Sequence, residues 1–422
     1  MKKLILLTYT FPPLSTGGTS VVLNMCRHLP ENDWEVIVVT VKKPRGMKTD
    51  QSLLDELPKN LKVFRVPHKG VATTDSSSAG KAKNNPIRSM IRYIAHNYIL
   101  IPDRVITWRK KVLPVLKKII ADEKPHAIMS FGPHHSLHLI ALSASKETAL
   151  PFIPFFGDLW LEDSYVNWPS KFNRLVESLL EREVVRKARG IIATTEASTG
   201  YFLEKYVQFC PPSHVAENAY DPARITRADL PVPDPEYLTA GWTGNFFASH
   251  SPVELIEGLK MFYDRNPNSK LRINMAGDID SVSLNKLESP PLQGKVTHHG
   301  HLKWSDVPEF QRNCDILIGY LNNRRGSHFK NASKTAEYLA SGRTILGIVP
   351  EGAMAARIRN PGRGYIVQPD PEEIAIMFEN LEYQWTMSSL RVPVDFAKIE
   401  EQFSAVNVMK RMAGFLDRMA GP

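Results

Sequence analysis

Cysteine is scarce in this chain: only Cys26, Cys210 and Cys314 occur among 422 residues. Far apart and odd in number, they exclude a disulfide framework and point to a reducing compartment. None stands at metal-ligand spacing from another, so each reads as a small buried residue. Long apolar runs are missing as well, and nothing reaches the roughly 18 consecutive apolar residues of a membrane span. Residues 1–13, Met-Lys-Lys-Leu-Ile-Leu-Leu-Thr-Tyr-Thr-Phe-Pro-Pro, imitate a signal peptide. Their apolar core is short, two prolines follow at once and no small-residue cleavage site appears, so a cytoplasmic protein is expected. There is no Gly-x-Gly-x-x-Gly, which weighs against a dinucleotide-dependent oxidoreductase. No nucleic-acid-binding motif is found either.

What is present is the composition of an ordinary globular protein, 43% hydrophobic and 23% charged. The length exceeds what one hydrophobic core supports, so two domains are predicted. The net charge of +9 is unevenly spread. Residues 81–118 hold ten basic side chains (Lys81, Lys83, Arg88, Arg92, Arg104, Arg109, Lys110, Lys111, Lys117, Lys118) against the single acid Asp103, an excess equal to that of the whole chain. Such a patch suits nucleic acid or an anionic membrane. With no nucleic-acid motif beside it, a peripheral contact with the inner face of a membrane is preferred, and no nucleic-acid partner. Residues 41–86 read as irregular, and 73–85, small and polar, are predicted to be mobile. Ile87, Met90, Ile91, Ile94, Tyr98 and Ile101 then form an apolar stripe at helical spacing, with Arg88 and Arg92 off it. Two readings stand: a helix burying that stripe on the core, or one lying on a bilayer.

Residues 4–9 and 35–40 read as buried parallel strands with a helix over about 19–29 between them, a right-handed βαβ unit. The loop after the first strand holds Gly17 and Gly18, which permit close backbone approach or a plain tight turn, and Thr19 or Ser20 can cap the helix. That loop lies at the carboxyl end of a strand, where doubly wound sheets bind ligands. Strands at 127–131, 152–156 and 190–194 extend the sheet, with a helix over about 172–188. His134 and His138 could share a helix face, but no third ligand accompanies them, so hydrogen bonding in a cleft is preferred to zinc. Asp158, in Gly157-Asp-Leu-Trp160, falls at the sheet's ligand edge. Beyond a proline-rich link at 231–235 a second α/β sheet begins, with strands at 238–243, 271–276, 296–300, 316–320, 344–349 and 364–367 and a helix over 252–266. Its first loop carries Gly244 and Asn245. Asp278-Ile-Asp280 reads as turn residues rather than a cation site. Residues 398–419 are predicted as one helix with Phe403, Val406, Met409, Ala413 and Leu416 on one side.

Residues 326–349 carry the sharpest signal. They read as a polar loop, a helix over 334–341, a stop at Gly342 and a buried strand from Thr344. Asn331 or Ser333 can cap the helix, and Gly342 supplies the left-handed residue that ends it. A helix N-terminus offers unpaired N–H groups and a positive dipole end, which together bind phosphate. Lys334 adds a positive charge in the first turn, and Glu337, three residues on, can accept hydrogen bonds from a ribose diol. That arrangement suits a nucleotide diphosphate; the plain alternative is a surface helix with a Lys–Glu pair.

Together these blocks resemble the retaining glycosyltransferases of family 4 (glycosyl transferases group 1), which have the GT-B fold. Phe11-Pro-Pro13 with Gly17-Gly18 is similar to the family's opening loop. Pro102-Asp103 with Trp108, then Ser130 to His138, then Phe155 to Trp160 resemble successive blocks of one subgroup. Asn218-Ala-Tyr-Asp221 resembles Asn-Gly-Tyr-Asp, and Lys334-Thr-Ala-Glu-Tyr-Leu-Ala-Ser-Gly342 resembles the donor block Lys-x-x-Glu-Tyr-Leu-Ala-x-Gly. The resemblance implies an α/β protein of two Rossmann-like domains facing across a cleft. Residues 1–225 would bind the acceptor, 236–397 the nucleotide sugar, and 398–422 would form a helix crossing back to the first domain.

It also implies retaining, metal-independent transfer of a sugar from a UDP- or GDP-type donor to a glycan or lipid-linked acceptor in cell-surface glycan synthesis, with no cofactor. Gly17, Gly18, Gly244 and Asn245 would border the donor, and the N–H groups of Asn331, Ala332 and Ser333 would hold its diphosphate with Lys334. Glu337 would hold the ribose. His135, His138, Asp158 and Trp160 would form the acceptor pocket, with Asp158, Lys334 and Glu337 as the catalytic set. Two features depart from the pattern. Loop 244–251 lacks the family's Arg and Lys, and Phe329 stands where the earlier Glu of a paired motif falls. Charge compensation is left to Lys334, with Arg324, Arg325 or Lys330 as helpers. The alternatives are a non-catalytic sugar-nucleotide or glycan-binding subunit and a sugar-nucleotide epimerase or phosphorylase on the same frame.

Overall fold

A computed structural model describes residues 1–42, 48–68, 90, 98–166, 168–225, 234, 236–246, 251–360, 362, 364–390 and 394–421. The chain divides into two compact units, Met1–Glu217 with Met409–Pro422, and Asn218–Val408.

The first unit is built on seven parallel strands: β1 (Lys2–Thr8), β2 (Trp34–Val41), β3 (Lys62–Val66), β4 (Ala127–Gly132), β5 (Phe152–Phe156), β6 (Ile191–Ala193) and β7 (Ser213–Val215). Their order across the sheet is β3-β2-β1-β4-β5-β6-β7. Leu4 to Leu7 and all of β4 are buried on both faces, which is why these strands read as unbroken apolar runs. Helices α1 (Thr19–His28), α2 (Arg109–Glu123), α3 (Ser136–Thr148), α4 (Lys171–Lys187) and α5 (Glu196–Lys205) connect them. Two strands escape a search for apolar runs. β3 lies inside the stretch read as irregular; as an edge strand it is only partly buried and spells Lys-Val-Phe-Arg-Val. β7, at the other edge, is three residues long.

The second unit repeats the plan with β8 (Leu238–Thr243), β9 (Leu271–Ala276), β10 (Val296–His298), β11 (Ile316–Tyr320), β12 (Thr344–Ile348) and β13 (Gly364–Val367), all parallel in the order β10-β9-β8-β11-β12-β13. This is the doubly wound order, with its reversal between β8 and β11. Side chains alternate across the sheet. Ile316, Ile318 and Tyr320 enter a core with Trp242, Phe262 and Phe378, while Leu317 and Leu321 enter a second core with Leu339 and Ile399 on the opposite face. Helices α6 (Val253–Arg265), α7 (Ser281–Leu287), α8 (Val307–Arg312), α9 (Lys334–Ser341), α10 (Ala353–Arg359), α11 (Pro371–Thr386) and α12 (Phe396–Phe403) supply the layers.

The single helix predicted over 398–419 is two. Ser404 is extended (φ −70°, ψ 142°) and separates α12 from α13 (Ala405–Ala420). Tyr220 replaces the missing helical bonds: its N–H donates to Phe403 O (3.1 Å) and its carbonyl accepts from Ala405 N (2.8 Å). The break changes the phase of the apolar face, so Val406, predicted to be inward, is 41% exposed, while Val408, Met412, Phe415 and Leu416 are buried. Within the first unit Phe415 stacks on His214 (5.2 Å between centroids), and Asp417 Oδ1 accepts from Lys2 Nζ (2.8 Å) and Trp34 Nε1 (3.0 Å). Leu416→Ala should therefore cost about 2–4 kcal/mol in urea unfolding. A loss below about 0.5 kcal/mol, the range of ordinary surface sites, would mean that Leu416 is no core residue.

No helix among the described residues is long and apolar enough to cross a membrane. Residues 73–85, together with Lys81, Lys83, Arg88, Arg92, Ile87, Ile91 and Ile94, lie outside the described residues, as does the 231–235 link apart from Asp234.

Candidate functional site

In the second unit the strand order reverses between β8 and β11, so the loops after these strands form the sheet's ligand edge. The loop after β8 is held by its neighbour. Gly244 N–H donates to Ala276 O (2.9 Å), Asn245 Oδ1 accepts from Asp278 N (2.9 Å), and Phe246 N–H donates to Asp278 O (2.7 Å). Trp242 stacks on Phe246 (3.8 Å, 7°) beneath it. Gly244 has φ +143°, and a Cβ there would meet Lys334 Nζ at 2.5 Å. The absent side chain makes the space that Lys334 occupies.

Lys334 is the first residue of α9. Its ammonium donates to Thr243 O and lies over the Trp242 ring, 4.3 Å from the centroid. Loss of hydration there lowers its pKa from 10.5 to about 7, against the opposing pull of Glu337. The N-terminus of α9 is uncapped. Ser333 occupies the cap position, but its backbone is already helical (φ −56°, ψ −37°) and its hydroxyl makes no capping bond. Asn331 does not cap either; its Oδ1 is buried without a partner among the described residues. The expected side-chain cap is thus absent, because a capping residue needs an extended backbone to fold its oxygen back. The backbone N–H groups of Asn331, Ala332 and Ser333 likewise have no partner among the described residues. Thr335 Oγ1, fully buried, is unpartnered too. Asn218 Nδ2 donates to Asn331 O (2.7 Å) and orients this loop.

Glu337 is held from two sides. Oε1 accepts from Arg224 Nη1 (3.0 Å) and Oε2 from Gln311 Nε2 (3.3 Å), and the side chain is only 14% exposed. Arg224 also donates to Trp304 O (2.7 Å) and lies 3.9 Å from the centre of that indole. Arg224, Gln311 and Trp304 carried no signal of their own in the sequence. Only the position of Arg224, three residues after the Asn218–Asp221 block, could have pointed to it. Asp280 caps α7 through Val282 N and Ser283 N, which accounts for the Asp-x-Asp pattern. Arg324 and Arg325 are exposed on the loop after β11, and Phe329 lies in a short turn at Ser327–Phe329.

In the first unit the reversal lies between β1 and β4. Gly18 precedes α1, and a Cβ there would come within 3.0 Å of Phe131 at the end of β4. Gly17 beside it is exposed. Neither Thr19 nor Ser20 caps α1: both lie inside the helix, where Thr19 Oγ1 donates to Leu14 O (2.8 Å) and Ser20 Oγ to Gly17 O (3.4 Å). Asp158 is half-buried in the loop after β5, whose Gly157 N–H donates to Gly132 O (3.1 Å). His135 stacks on Trp160 (4.9 Å, 3°), and Trp160 Nε1 donates to Glu177 Oε2 (2.9 Å). His138 is wholly buried and shares a hydrogen bond with Ser130 Oγ (2.7 Å); burial, then His135, holds its pKa well below the usual value. His138 and Trp160 therefore form the wall behind the Asp158 loop rather than its exposed lining. His134 and His138 do not share a helix face, because α3 begins at Ser136. Asp103, the single acid of residues 81–118, organises this edge: Oδ2 accepts from Ser136 N (3.0 Å) and Oδ1 from Val105 N (2.9 Å). Among the described residues no three His, Cys, Asp or Glu converge to hold a metal ion.

Residues 16–216 match the family described as Glycosyl transferase 4-like domain. No curated protein matches the chain by sequence. Among solved structures, sucrose-phosphate synthase from Thermosynechococcus elongatus is 13% identical, with 99% of each chain covered and a TM-score of 0.70. HepE of Anabaena, solved with UDP and glucose, is 13% identical over 99% of this chain and 100% of that one, with a TM-score of 0.65. A Listeria monocytogenes protein assigned as a UDP-N-acetylglucosamine 2-epimerase is 11% identical over 100% of this chain and 98% of that one, with a TM-score of 0.59. Residues 16–216 are therefore similar to a glycosyl transferase 4-like domain, and the chain as a whole carries the GT-B fold.

Proposed function

We propose that this protein is a glycosyltransferase that moves a sugar from a nucleotide-diphosphate sugar to a glycan or lipid-linked acceptor, with retention of configuration and without a metal. The observation that carries the donor half is the uncapped N-terminus of α9. Three consecutive N–H groups, the Lys334 ammonium and the orphaned polar atoms of Asn331 and Thr335 all lie at the switch point of a doubly wound sheet. A diphosphate supplies acceptors for the three N–H groups, the Lys334 ammonium and the Thr335 hydroxyl, whereas Asn331 Oδ1, itself an acceptor, calls for a hydroxyl donor. Glu337, clamped by Arg224 and Gln311, keeps lone pairs for a ribose diol one turn further on. Gly244 and Asn245 border the same place, and the UDP of HepE favours a uridine over a guanosine donor. Asp158, backed by His135, His138 and Trp160, is assigned to the acceptor, and Gly17 and Gly18 to the donor.

In the reaction the acceptor hydroxyl forms a bond to the anomeric carbon while the bond to the diphosphate breaks. The hydroxyl proton passes to an oxygen of the departing diphosphate. The protein's part is to stabilise that leaving group and hold the two reactants together. The glycan-synthesis setting, at the cytoplasmic face of a membrane touched through residues 81–118, belongs to the same proposal.

The test is calorimetry of UDP and GDP binding together with nucleotide release during transfer. Lys334→Ala and Glu337→Ala should each weaken donor binding by roughly 1.5–3 kcal/mol, the worth of one charge-assisted contact. Unchanged affinity in both variants would remove the assignment. The epimerase reading is kept alive by the Listeria neighbour; conversion of donor alone, with no acceptor added, would replace transfer by epimerisation.

A further inference from the structure

We propose that the outer face of the helical layer α2, α3 and α4 docks on an anionic lipid bilayer, with Phe172, Leu175 and Leu179 as its inserting stripe. Phe172 is 61% exposed, Leu175 59% and Leu179 56%. Spaced by three and four residues, they form one line along α4. The opposite side of α4 is already satisfied by Asn173, Glu177, Glu181, Val184 and Val185, which are buried. The core therefore has no use for the outer stripe.

Charge selects the occupant. α4 carries Lys171, Arg174, Arg182, Arg186 and Lys187; Arg174 pairs with Glu162 and Arg186 with Glu183, and two of the helix's three carboxylates face inward. Glu177 accepts from Trp160, and Glu181 Oε1 accepts from Lys205 Nζ (2.7 Å) and Tyr206 Oη (2.6 Å). The third, Glu183, bonds Lys146 of α3 (2.8 Å) and joins those two helices. On the other side of α3, Lys117 of α2 pairs with Glu147, so the three helices form one layer. α2 adds exposed Arg109, Lys110, Lys111 and Lys118, which make no ion pair among the described residues, and Ile99 just before it is 69% exposed.

A second copy of this chain on the same face would press cations against cations across a two-fold axis. A bilayer with anionic head groups accepts both features: apolar side chains enter the acyl boundary and the cations sit among phosphates. This surface extends the 81–118 patch, to which α2 belongs, by the apolar stripe of α4; it rests on the membrane contact proposed above and does not depend on sugar transfer. The bond from Trp160 to Glu177 ties α4 to the loop that carries Asp158, so docking would hold that loop near lipid.

The experiment is cosedimentation of the full chain with phosphatidylcholine vesicles containing about a third phosphatidylglycerol, against phosphatidylcholine alone, at low and high salt. The wild type should bind the anionic vesicles in a salt-dependent way. The triple variant Phe172→Ser, Leu175→Ser, Leu179→Ser should lose at least about tenfold in partition with an unchanged melting temperature, since the side chains are exposed. Lys171→Glu with Arg182→Glu keeps the stripe and reverses the charge, and should lose about tenfold on the anionic vesicles alone. Wild-type binding by the triple variant, or no binding of the wild type at low salt, overturns the proposal. So does a dimer in sedimentation equilibrium that the triple variant dissolves, which would give the face to a second copy.

Discussion

Lys334→Met is expected to make the second unit more stable while removing most of its affinity for a nucleotide diphosphate. The ammonium of Lys334 is withdrawn from water, and its pKa falls to about 7 from an ordinary 10.5. Between those two values the unfolded chain holds more protons than the folded one, so stability rises with pH across that window. The cost of the buried charge is complete below about pH 7 and gone above about 10.5. Methionine keeps the packing over Trp242 and carries no charge, but it leaves Thr243 O without its donor. The balance at pH 7 should be a gain of about 1–3 kcal/mol, and the rise in stability from pH 7 to 10 should flatten.

The diphosphate reverses the argument, because its charge restores the ammonium. Wild-type affinity for UDP should therefore fall from pH 7 to 9, and calorimetry at pH 8 in buffers of different ionisation heat should register close to one proton taken up on binding. The Met variant should bind at least about tenfold more weakly with no proton uptake. A variant less stable than wild type, or equal proton uptake in both proteins, would show that Lys334 is not the group described.

Gly277→Ala should be the most damaging single methyl in the second unit. Gly277 has φ +121°, and an added Cβ would lie 1.6 Å from the carbonyl oxygen of Gly244. The obstruction is backbone and belongs to the loop that borders Lys334, so relief requires Gly244 and Asn245 to move. A loss of about 3 kcal/mol or more is expected in urea unfolding, with weakened nucleotide binding in whatever folds. Gly294→Ala is the control: φ is +74° with nothing within 4 Å, so about 1 kcal/mol of backbone strain is all it should cost. Equal losses at the two sites would mean that the contact between the loops after β8 and β9 is not as described.

Much of this site was legible in the residues because it is local. The helix over 334–341, its Gly342 stop and the strand from Thr344 follow from composition within one turn, and the structure has α9 at Lys334–Ser341 with Gly342 at φ +79°. The caps were not legible. Whether Ser333 or Thr19 caps a helix depends on one backbone angle that neighbouring loops set, and both residues turn out to be already helical. β3 was hidden because an edge strand buries half its side chains, and the break at Ser404 because Tyr220, far away in sequence, supplies the competing hydrogen bonds.

The sequence alone determined that two doubly wound sheets would form, and which loops would carry glycine, histidine and lysine to their carboxyl edges. Apolar runs and turn residues act over a few positions, so their outcome needs no distant partner. Only the tertiary structure decided what those side chains are there. It brought Arg224 to Glu337 across 113 residues, buried His138 against Ser130, and drew Lys334 over Trp242 where its charge is costly. Ion pairing and desolvation depend on distances through space, and those exist only once the chain has folded.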